Sequence, residues 1–157
     1  MQEKMEIHIE TQPKMTMVTA RSLLNRPGIA AELFSYLGNS GFNIEMISQS
    51  GVSDKLADIS FALHEEDAEK AVEHLKNMPN LGAKEFSQLK GMGILTVFGH
   101  GLVRIPGIAG RVFSILAKEG VNIEMISTSL SSISVLILEE YLSPSRNILE
   151  TELEQDA

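Results

Sequence analysis

The sequence predicts an α+β fold built from two βαββαβ units in tandem, with the first unit inserted in sequence within the second. Three observations support this prediction: an internal repeat, the same order of strand and helix patterns in both copies, and an N-terminal strand pattern that belongs to neither copy. The chain of 157 residues is long enough for one ordinary domain or for two small ones.

The internal repeat is the strongest of these observations. The segment RPGIAAELFSYLGNSGFNIEMISQS begins at Arg26, and the segment IPGIAGRVFSILAKEGVNIEMISTS begins at Ile105. Pro27 aligns with Pro106, an offset of 79 residues (106 − 27), and 15 of the 24 aligned positions from Pro27 to Ser50 are identical. Because the identity extends over a helix pattern and a strand pattern together, the two copies are expected to share one fold.

Each copy has the same order of sequence patterns. A β-rich run precedes a Pro-Gly-Ile-Ala turn, and apolar residues then recur at the i, i+3, i+4 and i+7 positions of a helix face. That face is Ala30, Leu33, Phe34 and Leu37 in the first copy and Ala109, Val112, Phe113 and Leu116 in the second. The other predicted elements of the first copy are strands at Met15–Ala20, Phe42–Ser50, Ala57–Leu63 and Ala83–Leu89 and a helix at Glu66–Met78. Those of the second copy are strands at Gly93–Gly99, Val121–Ser129 and Ile133–Leu138 and a helix at Ser145–Glu154.

The first copy therefore has the ferredoxin-like order β-α-β-β-α-β, whereas the second copy has no fourth strand of its own. Met5–Glu10 alternates apolar and polar residues before Pro13 interrupts the pattern. We expect this segment to complete the sheet of the second unit, because that sheet would otherwise have an open edge. The predicted units are residues 14–91 for the first, and residues 5–10 plus 92–157 for the second.

Composition narrows the classes of function. Hydrophobic residues make up 43% of the chain, but no run approaches the roughly 18 apolar residues of a membrane span. The net charge of −8, with scattered Lys and Arg, argues against binding to nucleic acid. The cysteine count, Cys 0, removes disulfides and thiolate chemistry and is compatible with the cytoplasm. The first residues lack the basic-then-apolar layout of a signal peptide.

No pattern in the sequence indicates catalysis or a metal. The histidines lie on unrelated segments without ligand spacing, and the glycines beside His100 are followed by neither a Walker Lys-Ser/Thr nor a GxGxxG pattern. Glu45 and Glu124 alternate with apolar neighbours, which is typical of the solvent side of a strand or of an interface salt bridge. We therefore predict no catalytic residues, no metal and no cofactor.

Three features together resemble a known family. The Pro-Gly-Ile-Ala helix start, the Phe-Ser-x-Leu on the helix and the Asn-Ile-Glu-Met-Ile-Ser of the following strand are similar to those of the tandem ACT domains of aspartate kinase. The resemblance covers nearly the whole chain, including the N-terminal strand that serves the second ACT unit in that family. The kinase domain has no counterpart here, so the resemblance implies a free-standing regulatory piece that is not itself an enzyme.

The resemblance also implies a ligand site, because the effector amino acid of that family lies between two ACT units. Asn25 occupies the place where the family often has an Asp that holds the ammonium group of the effector. Arg104 and Thr128 stand in the second copy where the first has Asn25 and Gln49, so the two loops are not equivalent. The implied ligand-binding residues are Asn25, Pro27, Gly28, Ala30, Asn43, Ile44, Gln49, Asn122 and Ile123.

Elementary chemistry is compatible with this site. A helix N-terminus leaves amide N–H groups unpaired and carries a positive potential that suits a carboxylate. Asn43 and Gln49 each offer a donor and an acceptor. Two alternatives remain open at this point: the Pro-Gly pair can serve only to start the helix, and Asn43 and Asn122 can serve only to cap the turn into a strand.

The predicted function is that of a regulatory protein that senses an amino acid, threonine or lysine, and acts on a kinase chain or another biosynthetic enzyme. A homodimer is expected, because the apolar strands Phe42–Ser50 and Val121–Ser129 leave sheet edges and hydrophobic faces to be covered. The alternative is an interaction subunit that has lost its ligand, which the replacement of Asp by Asn25 favours. An enzyme is the third possibility, without a nucleophile–base pair in the sequence to support it.

Overall fold

The structure of the protein is a computed structural model, which describes residues 6–154. The chain divides into two compact units, one of residues Met15–Gly91 and the other of Met1–Lys14 together with Met92–Ala157. The chain passes from one unit to the other inside two strands, β1 (Ile7–Leu24) and β4 (Glu85–Gly99). Within residues 6–154, no helix combines the length and the apolar character needed to cross a membrane.

The unit Met15–Gly91 contains α1 (Ile29–Asn39), β2 (Met46–Gly51), β3 (Leu56–His64) and α2 (Glu65–Lys76) between its portions of β1 and β4. Its strand order is β2-β3-β1-β4, so β2 is an edge strand. β3 pairs antiparallel with β1 from Met15↔His64 to Leu24↔Leu56, and the register shifts between Ala20 and Leu23. The apolar faces of both helices cover the sheet, and Leu33, Phe61 and Leu75 are among the buried side chains of that core.

The other unit contains a 3₁₀ turn (Leu102–Arg104), α3 (Ile108–Lys118), β5 (Met125–Ser129), β6 (Ser132–Leu138), a second 3₁₀ turn (Glu139–Tyr141) and α4 (Leu142–Glu154). Its strand order is β1-β4-β6-β5, which makes β5 an edge strand. Ile9 of β1 is 1% exposed and lies in the same core as Leu95 and Val135. The predicted α+β class, with two βαββαβ units and the first inserted within the second, is confirmed.

Several predicted boundaries need correction. The strand predicted at Met5–Glu10 does not stop before Pro13, because β1 continues to Leu24 (Met5 lies outside the described residues). The strands predicted at Gly93–Gly99 and Ala83–Leu89 are parts of the single strand β4.

The strand predicted at Phe42–Ser50 begins only at Met46, and its counterpart predicted at Val121–Ser129 begins only at Met125. Phe42 and Ile44 pack on the core and so reproduce the alternation of a strand, although their backbone is not paired as one. The last helix begins at Leu142 and not at Ser145, because Pro144 lies in the first turn, where its missing N–H costs no helical hydrogen bond.

Candidate functional site

Strand β1 has an unusual backbone conformation shortly before the β1–α1 loop of the first unit. Ser22 has a φ of 58°, which is uncommon for a residue with a side chain. Asp58 on β3 holds this conformation: its Oδ1 accepts from the Ser22 N–H at 2.9 Å, and its Oδ2 accepts from Arg21 Nη1 at 3.4 Å. This bulge is the register shift between Ala20 and Leu23, after which β1 pairs again with β3 at Leu23 and Leu24. The loop then begins at Asn25, whose N–H donates to the Lys55 carbonyl at 2.8 Å.

Helix α1 then begins from a left-handed glycine. Gly28 has a φ of 91°, and no atom lies within 4 Å of a Cβ built on it, so this glycine is required by its backbone conformation and not by crowding. The first α-helical hydrogen bond is the Glu32 N–H donating to the Gly28 carbonyl at 2.9 Å. The N–H groups of Ala30 and Ala31 lie in the first turn, where no carbonyl four residues earlier belongs to the helix. They therefore direct a partial positive charge out of the helix start.

An ion pair closes over this helix start. Arg26 Nη1 donates to Glu32 Oε1 at 3.1 Å, and the second nitrogen, Nη2, contacts Glu32 Oε2. The hydrogen bond from Arg26 lowers the pKa of Glu32, and the same hydrogen bond raises the pKa of Arg26. The fork geometry fixes the guanidinium against the helix, beside the Pro27-Gly28 turn.

Asn25 and Gln49 are the predicted site residues whose side chains the structure brings together. Gln49 Nε2 faces Asn25 Oδ1 at 3.5 Å, which is at the outer limit of a hydrogen bond. Pro27, Gly28 and Ala30 follow Asn25 directly along the chain. This group places two amide side chains beside a helix start with free N–H groups, which is a donor and acceptor set suited to a zwitterion.

The remaining predicted residues lie elsewhere. Asn43 and Ile44 are in the segment between α1 and β2, where Ile44 packs on the core and Asn43 is exposed. In the described residues, no side-chain hydrogen bond joins Asn43 to Asn25 or Gln49. Asn122 and Ile123 belong to the other unit, in which Asn122 Nδ2 donates to Glu124 Oε1 at 2.8 Å and Ile123 packs on that unit's core.

The surface around the site is open. Gln49 lies on the edge strand β2, and Met46 is the only buried residue of that strand. Ile47 on the same strand is 52% exposed, and Val52 beyond it is 56% exposed. A charged ligand bound here would therefore keep much of its contact with water unless a further surface covered it.

Sequence reasoning missed the Asp58 support of Ser22 and the Arg26–Glu32 pair. The first depends on the pairing of β1 with β3, which no local spacing encodes. The second spans six positions across the Pro27-Gly28 turn and matches no helical i, i+4 rule. Within residues 6–154, no group of three or more His, Cys, Asp or Glu side chains has the placement to hold a metal ion.

A family model and several curated proteins match the sequence of this chain. The model of the ACT domain matches it twice, at residues 17–78 and 95–153. A curated relative, the aspartokinase of Pseudomonas aeruginosa, is 35% identical over 141 residues, which are 89% of this chain and 34% of that protein. The chain therefore spans about a third of the length of the curated relatives that it matches.

Solved structures give the same result. The regulatory subunit of aspartate kinase from Thermus thermophilus, in its ligand-free form, is 25% identical with a TM-score of 0.84, and the match covers 95% of this chain and 98% of that chain. A structure of aspartokinase alpha and beta subunits is 28% identical with a TM-score of 0.82, covering 91% of this chain and 95% of that chain. These matches confirm the predicted resemblance to tandem ACT domains and to the regulatory, not the catalytic, part of aspartate kinase.

Proposed function

The chain belongs to the ACT domain family, and from this premise we propose that it is a regulatory module that binds an amino acid of the aspartate family, threonine or lysine, and transmits the binding to an enzyme chain. The observation that carries the proposal is the pairing of Asn25 with Gln49 at 3.5 Å beside the start of α1. These two side chains and the first-turn amides supply partners for both charges of an amino acid.

The proposed binding mode assigns each end of the ligand to one feature of this site. The ligand carboxylate accepts from the N–H groups of Ala30 and Ala31, where the helix potential is positive. The ligand ammonium donates to Asn25 Oδ1. By resemblance, Asn25 stands where the family often has an Asp. Gln49 turns its amide towards the ligand and so replaces its long contact with Asn25. Asn43, Ile44, Asn122 and Ile123 stay in the proposal as predicted ligand contacts.

We propose further that the chain works as a homodimer. The exposure of Ile47, Val52 and Ile126 on and beside the two edge strands supports this, because a second copy would remove apolar surface and unpaired backbone groups from water. The same cover would shield a bound amino acid from solvent. Allosteric action then requires only that the ligand bind one arrangement of the dimer better than another.

The enzyme partner and the compartment belong to the same proposal. The chain is similar to a structure that contains aspartokinase alpha and beta subunits, which supports a kinase catalytic chain as the partner. The cysteine count, Cys 0, is compatible with a reducing cytoplasm.

Isothermal titration calorimetry against the twenty amino acids tests the ligand, with norleucine and 2-aminobutyrate as matched controls for lysine and threonine. We expect heat with threonine or lysine and much weaker binding of the control that lacks its side-chain ammonium or hydroxyl. Light scattering in the same buffers tests the dimer. Absence of heat and of any thermal shift with all twenty would contradict the ligand proposal, and a monomer at micromolar concentration with and without ligand would contradict the dimer.

A second candidate is an interaction subunit that binds an enzyme chain without a ligand. The neutral Asn25 and the open surface at Gln49 favour it, since both reduce the affinity expected for an ammonium group. Affinity capture with the full chain in the presence and absence of threonine and lysine separates the two functions. A stable complex with a kinase chain whose yield is independent of every amino acid supports the second candidate.

A further inference from the structure

A second polar cleft lies in the first unit, between the first turns of α2 and the strands β1 and β4. Its volume is about 380 Å³, a size that accommodates a small organic molecule. It shares no residue with the Asn25–Gln49 group. The residues that line it are Thr16, Glu65, Glu66, Glu69, Gln88 and Lys90.

Two buried oxygen atoms of this cleft have no hydrogen-bond partner among the residues that the structure describes. They are Thr16 Oγ1 and Gln88 Oε1, and the Thr16 residue is only 1% exposed. On the same strand Thr19 is also buried, but its Oγ1 lies 2.7 Å from Ser60 Oγ. Buried hydroxyl groups in folded proteins are nearly always paired, so the unpaired Thr16 oxygen is a candidate partner for a group that enters the cleft.

The charges of the lining select a cation. Three carboxylates, on Glu65, Glu66 and Glu69, face one ammonium group, that of Lys90. Lys90 Nζ is 3.6 Å from Glu69 Oε1, and both side chains are mostly exposed, so this pair sits on the rim and neutralises the cleft only in part. The carboxylates and the Gln88 carbonyl oxygen accept hydrogen bonds and do not donate them.

The cation that fits is an organic one. In the described part of the chain, the carboxylates do not converge with the geometry of a metal site. An alkyl ammonium group carries three donors on one nitrogen and tolerates acceptors at irregular positions. An aliphatic chain of a few carbons behind the nitrogen fits in the remaining volume.

The second unit shows that the cleft is not a general property of the repeat. There, the hydroxyl pair Thr96–Ser134 corresponds to Thr19–Ser60, so Gly93 stands where the first unit has Thr16. The side chain of Leu142 occupies the space in front of Gly93, and its Cδ1 would lie 2.4 Å from a Cβ built there. The second unit therefore has a leucine side chain in the place where the first unit has a buried, unpaired hydroxyl beside a polar cleft.

We propose that this cleft of the first unit binds the ammonium group of a small aliphatic amine. Thr16 Oγ1 and Gln88 Oε1 accept from the ammonium nitrogen at the buried end, and the three glutamates supply the opposite charge. The site is separate from the amino-acid site proposed above and does not depend on it. Binding here adds contacts between α2 and the strands β1 and β4, so the amine stabilises the first unit.

The test titrates the full chain with 1,4-diaminobutane and n-butylamine, with 1,4-butanediol as an uncharged control of the same length and NaCl to match ionic strength. We expect calorimetric binding of the amines, with changes in the amide NMR signals of Thr16, Gln88 and the first turn of α2. We expect none with the diol. Equal signal changes with NaCl alone, or none with either amine, would overturn the proposal and leave a water-filled cleft.

Two substitutions of the same type separate a ligand contact from a structural role. Thr16→Val removes the unpaired oxygen while keeping the shape, so it should weaken amine binding about tenfold or more and leave the melting temperature equal or higher. Thr19→Val breaks the bond to Ser60, so it should lower the melting temperature and leave amine affinity unchanged. If Thr16→Val binds the amines as well as the parent chain does, the proposal is wrong.

Lys90→Gln provides a test by gain of affinity. Removal of the competing ammonium on the rim should strengthen amine binding roughly two- to fivefold, the scale of an exposed ion pair. Weaker binding of the amines in this variant would contradict competition between Lys90 and a cation in the cleft and would overturn the proposal.

Discussion

The two ACT units share a buried frame, but they differ in the polar groups attached to it. In the first unit Thr19 Oγ1 lies 2.7 Å from Ser60 Oγ, and in the second Thr96 Oγ1 lies 2.8 Å from Ser134 Oγ, so the central strands of both units have the same register. The helix starts also agree, because Gly28 and its counterpart Gly107 are both left-handed. The two units therefore share the register of their central strands and the conformation of their first helix starts.

Four polar side chains of the first unit are replaced by different residues in the second. Four positions of the β1–α1 region and its surroundings carry Ser22, Asn25, Arg26 and Gln49 in the first unit. The aligned positions carry Gly101, Arg104, Ile105 and Thr128 in the second. A fold can thus be duplicated while only one copy carries the side chains of the proposed amino-acid site, and the second copy serves as an internal control for the first.

The largest expected effect is on stability, and it comes from changing the contact between Gly93 and Leu142 in the second unit. Leu142→Ala should destabilise that unit by about 2–4 kcal/mol through the cavity it leaves. Gly93→Thr should cost about 1–3 kcal/mol, since Leu142 must move away from the new side chain. Leu142 stands 74 positions after Ala68 (142 − 68), the same offset that separates Ser60 from Ser134 (134 − 60), so Ala68 is its counterpart in the first unit. The double variant reproduces the pair Thr16 and Ala68, so it should be more stable than the sum of the single effects predicts.

Hydrogen exchange of the β6 amides, Ser132–Leu138, measures this coupling within the second unit, and denaturant unfolding measures it for the whole chain. The equivalent change in the first unit, Ala68→Leu, is the control and should destabilise that unit, because Ala68 is buried in its core. Strictly additive free energies in the double variant would mean that Gly93 and Leu142 are not the counterparts of Thr16 and Ala68.

The next effect concerns ligand affinity. Gln49→Ala should weaken binding of the amino acid by about 1–3 kcal/mol, or roughly 5- to 150-fold in Kd, because a polar partner of the ligand is lost. Thr128→Ala, at the aligned position of the second unit, is the matched control and should change Kd less than about twofold. Asn25→Asp should strengthen binding, since a charged acceptor bonds an ammonium group more strongly than a neutral one.

Calorimetry with the ligand identified among the twenty amino acids gives all three affinities. If Thr128→Ala abolishes binding and Gln49→Ala does not, the ligand uses the second unit's loop. That result would keep the fold and reverse the comparison between the two units.

The fold could be predicted because its signals are local and occur twice. The apolar spacing of Leu33 and Leu37 recurs at Val112 and Leu116, and one unmatched strand pattern around Ile9 was enough to assign the inserted order. The β2 boundary could not be predicted, because Phe42 and Ile44 alternate with polar residues as a strand does while they pack from a loop.

The site could be predicted only where sequence neighbours form it. The left-handed Gly28 and the helix start follow from the repeated Pro-Gly turn. Gln49 is named only from the family resemblance, and its role as a ligand contact stays a prediction. The polar cleft could not be predicted, because Thr16 and Gln88 are far apart in sequence and meet through the pairing of β1 with β4.

A smaller effect concerns the backbone bulge before the site. Ser22→Gly should stabilise the first unit by about 0.5–1 kcal/mol, because glycine adopts a φ near 58° without steric cost. Gly101→Ser, the reverse change in the second unit, should destabilise by about 1–2 kcal/mol, since Ser132 stands there in place of Asp58 and has no carboxylate to accept from the backbone. Asp58→Ala should destabilise the first unit by about 1–2 kcal/mol, and Ser22→Gly should recover part of that loss. Thermal unfolding measures each variant, and equal effects of the two serine–glycine exchanges with the same sign would contradict the role of Asp58.

The smallest effect is a pH dependence confined to the first unit. The pKa of Glu32 is lowered by its hydrogen bond from Arg26, so the folded value lies below the unfolded one. The stabilisation from this pair is therefore complete above the ordinary glutamate pKa of about 4.3 and is lost as the pH falls through the lower, folded value.

Arg26→Ile installs the residue that the second unit has at Ile105, and it should return the Glu32 pKa upward. Arg26→Lys should return it only in part, because lysine keeps the charge but not the two-pronged geometry. Carbon-detected NMR titration of the Glu32 carboxyl group from pH 2 to 7 follows this change directly, and an unchanged midpoint in Arg26→Ile would show that the ion pair does not hold the helix start in solution.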